Sequence, residues 1–430
     1  MRLVVRFFAM LASATMCVAT ASAPLQAQNA VNLWLVDLHW TNGHLGTGAP
    51  VRLTDGGTNS QPSFTPDGRA IVFSAVRDSG PRARSDIYRI DLATRAETRI
   101  TRTPENENSP TVNAKGEYVA VRWNPATLFT EYGPWVYTKK GVPSRGVLRG
   151  PDTTGYYTPL EHGDYALTRP KARSFTLALF NAKTGAIVDV DSGVPALPAV
   201  RVPGENALTY VRLDSGTAHH ALRRLDLSTH VTTTIGSTLV GRTAHAWVAG
   251  HSTILMARGS TLYARTLADT TWRAVATFDN PELRNVTAYV VSPKGDKLIL
   301  TAPKRFGLAT ILRDSLESGR PGAQVAAMVM SMQSAGKLQG VDITEDPISA
   351  LGDDFMRKHR PLDGLAMHAL ATQLFPKSWR AFGRLGDAQR EAGSLPASVM
   401  SYIKALELNP RSTEEERKAA SEIERKMAGG

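Results

Sequence analysis

One stretch decides the fold: Gln61-Pro62-Ser63-Phe64-Thr65-Pro66-Asp67-Gly68-Arg69-Ala70-Ile71-Val72-Phe73, followed by Asp86-Ile87-Tyr88-Arg89-Ile90-Asp91-Leu92. A second copy continues after it as Ser109-Pro110-Thr111-Val112-Asn113-Ala114-Lys115-Gly116-Glu117-Tyr118-Val119-Ala120-Val121. Each copy joins short alternating strands through a polar glycine turn. A recurrence of this kind is typical of the blades of a β-propeller.

A glycine turn marks each expected blade. The turns contain Gly68, Gly116, Gly163, Gly204, Gly250 and Gly295. Their average spacing of about 45 residues lies within the range of propeller repeats. A tight hairpin needs a residue with positive φ, which glycine adopts at no steric cost. We therefore predict a mainly β fold with six blades.

The N-terminus is predicted to complete the sixth blade. The third strands of two blades end in an aliphatic-Asp-Leu pattern, at residues 90–92 and 225–227, and the same pattern recurs at Val36-Asp37-Leu38 with no inner strands before it. Residues 285–303 lack the complementary part of a blade: they contain two inner strands, but no clear pair of outer strands follows them. We expect residues 33–38 and 50–54 to supply these outer strands and close the ring, because closure removes exposed sheet edges.

These residues resemble the TolB-type six-bladed propeller family. The family pattern is Leu-Thr, then Ser/Thr-Pro-Asp-Gly, then Asp-Ile-Tyr-x-x-Asp-Leu, and it is matched here by Leu53-Thr54, residues 65–68 and residues 86–92. The resemblance covers roughly residues 30–303 and is weaker in the third to fifth blades. It implies a fold rather than an activity, since propellers host enzymes and binding scaffolds alike.

The chain becomes helical after Gly319-Arg320-Pro321-Gly322. Leu351 recurs as Leu385, Ala371 as Ala405 and Pro376 as Pro410, always 34 residues later. This period resembles the tetratricopeptide repeat, a pair of helices. The small residues Gly364 and Ser398 would let the two helices of each unit cross closely, beside the bulkier His368 and Tyr402.

Four regions are predicted from these patterns. Residues 1–27 form a signal peptide that is removed, and residues 28–320 form the propeller. Residues 321–345 form a helical linker that packs on the propeller. Residues 346–430 form two tetratricopeptide-like units with a capping helix at 414–427. Because two units are few for independent stability, we expect this tail to lean on the propeller.

The first residues have the pattern of a secretory signal. Arg2 and Arg6 precede an apolar stretch at 7–19, and Ala21-Ser22-Ala23 fits a cleavage site. The stretch is too short for a transmembrane helix. It holds the only cysteine, Cys17, so the mature chain can form no disulfide or thiolate site. We expect a protein of the periplasm, or one secreted beyond it.

The charge balance is basic without a basic run. The formal net charge is +11, or +9 once Arg2 and Arg6 are removed. We interpret the chain as diffusely basic, although such an excess also favours an anionic membrane surface or an acidic protein. Nucleic acid is not an expected partner, because no basic stripe with interleaved aromatic residues is present.

No catalytic, cofactor-binding or metal-binding residue is predicted. The zinc motif His-Glu-x-x-His and the phosphate-binding glycine loop are missing, and residues 250–254 lack the second glycine of a nucleophile elbow. Residues 189–193 match only the start of a calcium loop, and we interpret them as part of a strand.

Two functional classes stay open at the level of sequence. The first is a monomeric, non-enzymatic scaffold that binds an envelope protein or peptide through the propeller face or a helical groove. The first helix of each repeat unit would line that groove with Asp353, Met356, Arg380, Asp387 and Arg390. The second is a propeller enzyme, or a binder of a carbohydrate or small ligand, with its site in the central channel.

Overall fold

The computed structural model describes residues 30–78, 83–124, 132–148, 153–171, 174–214, 219–338, 340–418 and 421–422. The signal peptide predicted at residues 1–27 lies outside the described residues. So does the end of the predicted capping helix, of which residues 414–418 are helical. The chain is mainly β as far as residue 307 and mainly helical beyond it.

The strand-rich region consists of short strands separated by turns. In chain order they are β1 (Val31–Thr41), β2 (His44–Thr47), β3 (Val51–Arg52), β4 (Thr58–Phe64), β5 (Ala70–Val76), β6 (Ser85–Asp91), β7 (Glu97–Arg99), β8 (Asn106–Val112), β9 (Tyr118–Trp123), β10 (Gly133–Tyr137), β11 (Pro143–Gly146), β12 (Tyr156–Pro159), β13 (Tyr165–Lys171), β14 (Ser174–Phe180), β15 (Ile187–Val194), β16 (Val200–Arg201), β17 (Ala207–Arg212), β18 (Ala221–Asp226), β19 (Thr232–Ser237), β20 (Ala246–Val248), β21 (Thr253–Arg258), β22 (Thr261–Thr266), β23 (Arg273–Thr277), β24 (Ala288–Val291) and β25 (Lys297–Pro303).

These strands form multiple four-stranded sheets, as a propeller requires. β8 to β11, β12 to β15, β16 to β19 and β20 to β23 are each one sheet. A nine-stranded sheet holds the rest, and it divides at a single parallel residue pair, Val31 with Thr58. On one side of this pair lie β4 to β7. On the other side lie β24 and β25 with the N-terminal strands β1 to β3.

The N-terminal strand lies beside the last strand of the region. β1 pairs antiparallel with β25, from Val31 opposite Pro303 to Asp37 opposite Lys297. β3 then pairs with β1, with Trp34 opposite Arg52. These are the two segments that the sequence assigned to the outer positions of the last sheet.

The six predicted turn glycines all join the first strand of a four-stranded unit to its second. Each has a positive φ, between 69° at Gly68 and 85° at Gly163. Because antiparallel strands alternate in direction, the turn between the third and fourth strands lies at the same end as the glycine turn. We call this end the glycine-turn face and the opposite end the linker face.

The first strands of the sheets lie side by side. β4 contacts β8 and β24, and β20 contacts β16 and β24. Thr111 on β8 hydrogen-bonds with Tyr157 on β12, and Thr158 donates to the carbonyl of Ala199 just before β16. Buried side chains fill the spaces between sheets; Leu33 and Ile299, for example, pack against Ile71 and Phe73. This arrangement is consistent with a propeller.

Six helices lie between the strand-rich region and residue 410: α1 (Leu308–Glu317), α2 (Gly322–Ser334), α3 (Glu345–Arg357), α4 (Pro361–Leu374), α5 (Trp379–Glu391) and α6 (Leu395–Leu408). Two further short strands, β26 (Phe306–Gly307) and β27 (Val341–Asp342), pair with each other. The starts of α3 and α5 are 34 residues apart, and so are the starts of α4 and α6. Residues 161–163 and 281–283 are 3-10 turns.

The paired helices cross at small residues. A side chain at Gly352 would meet the His368 ring, with a Cβ only 2.6 Å from its Nε2 atom. One repeat later, a Cβ at Gly386 would lie 2.7 Å from the Tyr402 ring. Ser398 donates a hydrogen bond of 2.8 Å to the carbonyl of Gly386. Because glycine has no side chain, an aromatic ring fits between the two helices at each of these positions.

The packing of α2 differs from the prediction that this segment rests on the propeller. Val325 and Val329 are buried in one cluster with Phe355 and Met367 of the repeat helices. The physical reason lies at Gly322, whose missing side chain lets the start of α2 approach α4 and whose N–H donates to Asp363 at 2.7 Å. α1, which falls in the range predicted for the propeller, contributes Leu308, Leu312 and Leu316 to the same cluster.

Polar contacts connect the helices to the linker face. Arg242, in the loop before β20, forms an ion pair with Asp314 of α1. Arg284, in the loop before β24, donates to the carbonyl of Lys337 at 2.9 Å. The helical region thus lies against the loops that precede the last two sheets.

Candidate functional site

A large cavity in the described residues is a channel lined by the first strands. Its volume is about 1080 Å³. All six first strands contribute residues, and the lining extends from Thr243 and Ala244 on the linker face to Glu161, Glu205 and Pro293 on the glycine-turn face. The channel therefore runs along the first strands, from one end of the sheets to the other.

The channel lining is mainly apolar with neutral polar groups between. Its apolar members include Phe64, Val112, Val200 and Val290. Hydroxyl and amide side chains occur among them at intervals: Gln61, Ser63, Ser109, Thr111, Tyr156, Thr158, Asn206 and Ser292. A concave apolar surface with a few spaced hydrogen-bonding groups is the usual character of a ligand pocket.

Two first strands carry equivalent irregularities. Gln61 and Ser109 have left-handed φ values of 53° and 52°, although neither is glycine, and each is followed by a proline. The register of β4 and β8 shifts at these positions, so each strand is bulged. The bulges lock together, since the Ser109 N–H donates to Gln61 Oε1 at 2.8 Å and Ser63 Oγ donates to the carbonyl of Pro110 at 2.7 Å. Backbone of this kind costs free energy and is concentrated at functional sites.

Proline also blocks hydrogen bonding at these positions. A first strand has one unpaired edge, which faces the channel, and a proline there has no N–H to offer a ligand. β4, β8 and β12 carry Pro62, Pro110 and Pro159, whereas β16, β20 and β24 contain no proline. The prolines therefore remove backbone donors from one side of the channel and leave them on β16, β20 and β24.

A buried histidine next to β20 helps to hold this strand in place. His245 is 7% exposed, and its Nε2 lies 2.8 Å from Thr209 Oγ1, which also accepts a hydrogen bond from Trp247 Nε1. The Thr209 hydroxyl also donates to the carbonyl of Val200 at 3.4 Å, so one buried hydroxyl of β17 links the histidine, the indole and β16. Burial lowers the pKa of His245 to about 4, so the ring is neutral at physiological pH and positions the strand rather than carrying charge.

Ionic groups at the channel are paired at its glycine-turn end. Glu161 lies 3.4 Å from Arg201, and Glu205 lies 2.7 Å from Arg224. Among the described residues, no group of three or more His, Cys, Asp or Glu side chains is placed to hold a metal ion. Asp189 and Asp191 of the calcium-like segment lie in β15 and pair with Arg169 and Arg223.

A second, smaller cavity lies on the repeat helices. Its volume is about 260 Å³. Asp353, Met356 and Asp387, three of the five groove residues predicted from the sequence, line it together with Arg357, His368, Arg384, Ala388 and Glu391. His368 Nε2 lies 3.2 Å from Asp353 Oδ1, and the equivalent Tyr402 hydroxyl donates to Asp387 Oδ1 at 2.8 Å. Each unit thus links its two helices through one ring and one carboxylate.

The other two predicted groove residues do not line this cavity. Arg380 lies over the ring of its neighbour Trp379, at 5.4 Å from the ring centre. Arg390 extends towards Asp387 and the Tyr402 hydroxyl. The sequence period placed these positions on one helix face, but it did not reveal which side chains turn inward. Arg384, which reaches Asp346 and Asp353, was not predicted from the sequence.

Among the comparisons with known proteins, only the comparison of structures found similar proteins. No protein-family model and no curated protein matches the chain. TolB from Acinetobacter baumannii is 16% identical, with a TM-score of 0.37, over 49% of this chain and 53% of TolB, so the chain spans about half of that protein. An oligogalacturonate lyase in complex with manganese is 17% identical, with a TM-score of 0.42, over 59% of this chain and 80% of the lyase. The tricorn protease is 13% identical, with a TM-score of 0.41, over 57% of this chain and 26% of the protease.

These identities are too low for an activity to be carried over. None of the helices in the described ranges is both long and apolar enough to span a membrane.

Proposed function

We propose that this chain is an exported, non-enzymatic interaction protein that binds an extended peptide segment of an envelope protein in the channel. The observation that carries this proposal is the channel of about 1080 Å³, with apolar walls and hydroxyl and amide groups spaced along them. An extended peptide needs such a surface, because it must bury apolar side chains while its backbone is hydrogen-bonded.

The position of the free strand edges supports an extended ligand. β20 and β24 contact each other, and neither contains a proline. A peptide lying along them can therefore pair with backbone N–H groups, while the bulged strand β8 lies across the channel and β4, which contacts β24, forms a side wall. Strand addition of this type combines backbone affinity with side-chain pockets for specificity.

The proposal includes a six-bladed ring closed by the N-terminal strand. The pairing of β1 with β25, and the contact between β24 and β4, support this closure. It also includes two tetratricopeptide-like units in α3 to α6, supported by the repeated ring-over-glycine crossing. We place the protein in the periplasm or outside the cell, on the basis of its N-terminal sequence pattern.

The test is peptide selection on the immobilised full mature chain, followed by affinity measurement. We expect selected peptides to be apolar and extended, and Val290→Trp, which fills the channel, to weaken binding by at least ~10-fold. Thr234→Trp, on the outer strand β19, is the matched control. A thermal midpoint close to that of the wild type shows that the Val290 variant is folded.

Two outcomes would contradict the peptide site. Unchanged binding by the folded, channel-filled variant would place the site elsewhere. Selective binding of a sugar or small ligand instead of peptides would favour the second functional class.

A further inference from the structure

The cations of the glycine-turn face differ from other cations of the strand-rich region. Within the described residues, seven exposed cations on the turns of this face have no carboxylate within 4 Å: Arg69, Arg95, Lys115, Lys139, Lys140, Lys183 and Lys294. Towards the linker face, by contrast, Arg99 pairs with Asp86 and Arg122 with Glu105, each at 2.6 Å. Exposed cations without an ion pair also lie on the linker face, at Arg102 and Lys304, but among the described residues more of them lie on the glycine-turn face.

The unpaired cations form two adjacent rows. Lys294, Arg69 and Lys115 belong to the glycine turns of three neighbouring sheets. These turns adjoin, since a Cβ at Gly68 would lie 3.6 Å from Pro293. The outer row consists of Arg95, Lys139, Lys140 and Lys183, in the turns between third and fourth strands of the sheets that begin with β4, β8 and β12.

Acidic groups on the same turns leave a positive excess. Asp67, Glu117 and Asp164 are engaged by Thr65, by Asn113 and by the N–H of Ala182 rather than by a cation within ion-pair distance. The positive excess lies on the sheets that begin with β4 and β8, where Arg69, Arg95, Lys115, Lys139 and Lys140 face Asp67 and Glu117. Elsewhere on this face two carboxylates share one cation, as Asp37 and Asp296 share Lys297 and Glu205 and Asp226 share Arg224. Charges of this kind act over about a Debye length, ~8 Å at physiological ionic strength.

Exposed aliphatic side chains lie at the outer turns of the same face. Val142, Val188, Val231 and Leu267 are 56%, 55%, 57% and 43% exposed. They lie in or next to the outer turns of four consecutive sheets, and Val142 directly follows the Lys139-Lys140-Gly141 turn. Aliphatic tips beside lysines are the combination with which peripheral proteins enter the headgroup region of a membrane.

We propose that the glycine-turn face docks on an anionic phospholipid surface. The lysines and arginines contact lipid phosphates, and Val142 and Val188, on the same sheets as Lys139, Lys140 and Lys183, enter the interface beside them. A lipid surface fits better than an acidic protein because the cations spread over several adjoining turns rather than lining one pocket. Docking in this orientation leaves the helical region, on the linker face, directed away from the membrane. The inference is independent of the peptide site.

The test is vesicle binding by the mature chain from residue 28 onward, purified after export. Vesicles of phosphatidylcholine with about 30% phosphatidylglycerol are compared with pure phosphatidylcholine at low and high salt. We expect binding only to the anionic vesicles, and weakening by salt. Each lysine near an anionic surface contributes roughly fivefold in affinity, so Lys139→Glu with Lys140→Glu is expected to weaken binding by at least ~25-fold.

The matched control carries the same charge change on the helical region. Lys377→Glu with Arg411→Glu, two exposed cations with no carboxylate within 4 Å among the described residues, is expected to change vesicle binding less than twofold. Val142→Ser keeps the charge and is expected to weaken binding severalfold. Absence of wild-type binding to anionic vesicles would overturn the proposal. So would an equal loss in the control, or binding to polyglutamate without binding to vesicles.

Discussion

Glu107 lies at a seam between two sheets and has no exposed surface. Its carboxylate accepts hydrogen bonds from Thr101 at 3.1 Å, from Thr103 and from the Tyr137 hydroxyl at 3.4 Å. Asp86, paired with Arg99, lies close enough for its charge to act on Glu107. Burial, with a further contribution from the charge of Asp86, raises the pKa of Glu107 from 4.5 to about 7, against the three hydroxyl donors.

Because the pKa of Glu107 is raised in the folded chain, the contribution of Glu107 to stability falls as pH rises. Between the unfolded pKa of 4.5 and the folded pKa of about 7, the folded chain holds a proton that the unfolded chain has lost. Each pH unit in this window is worth about 1.4 kcal/mol. Over the whole window this one titration therefore removes about 3 kcal/mol of unfolding free energy, and most of that loss is complete by about pH 7.

Glu107→Gln removes the titration and keeps the side chain's size. We expect the unfolding free energy of this variant to exceed that of the wild type by a margin that grows between about pH 5 and pH 8, up to about 3 kcal/mol. Titrations that both proteins share, such as that of His245, cancel in this difference. At the lower end the two proteins should be similar, because a protonated carboxyl and an amide are both neutral and the three hydroxyls can donate or accept.

Urea unfolding followed by circular dichroism in the β region, at half-unit pH steps, measures this difference. Glu117→Gln, at the glycine turn of the same sheet, is the matched control and should follow the wild type. A Glu107→Gln variant that is less stable than the wild type at every pH would refute the reasoning, because it would mean that the ionised carboxylate contributes favourable hydrogen bonds that outweigh its desolvation.

Three further predictions concern the fold and its helices. His251→Ala removes a ring stacked at 3.8 Å on the indole of the β1–β2 hairpin, so we expect a loss of about 1 kcal/mol in thermal unfolding. Gly352→Ala places a Cβ 2.6 Å from the His368 ring and should increase hydrogen exchange in α3 and α4, whereas Gly383→Ala, with no atom within 4 Å, should leave it unchanged or reduced. Burial lowers the pKa of His368, so the pair α3 and α4 should lose stability as pH falls below 6.5, the pKa of the unfolded chain. His368→Tyr, which copies Tyr402 of the next unit, should remove this pH dependence, as measured by hydrogen exchange. Equal pH profiles for both proteins would contradict the last prediction.

The sheet units were predictable because their signals are local. A positive φ favours glycine whatever the rest of the chain does, so the six turn glycines mark their hairpins directly. The outer position of the N-terminal strand followed from a missing pair of strands in the last sheet. The 34-residue period also marked small residues at close helix approaches: a Cβ at Gly364 would lie 2.7 Å from the Met356 side chain, and Ser398 donates to the carbonyl of Gly386.

Other features depend on long-range packing and carry no local signal. The apolar stretch of α2 shows that it is buried but does not specify its partner, which turned out to be the repeat helices. The hairpin at Asn42-Gly43 does have a local turn signature, with φ values of 50° and 77°, but it was overlooked at the level of sequence. Channel residues come from six strands far apart in sequence, so no spacing could show that Val290 and Val112 line the same channel.

Photo-crosslinking in the living cell, from the full chain in its native envelope, tests the peptide site most directly. A photoreactive residue is placed at Val290 in the channel, at Met356 in the helical groove, or at Thr234 on the outer strand β19. We predict a protein adduct at position 290, mapped by mass spectrometry to one extended apolar segment, and none at position 234. Adducts confined to position 356, or no protein adduct at position 290, would contradict a peptide site in the channel.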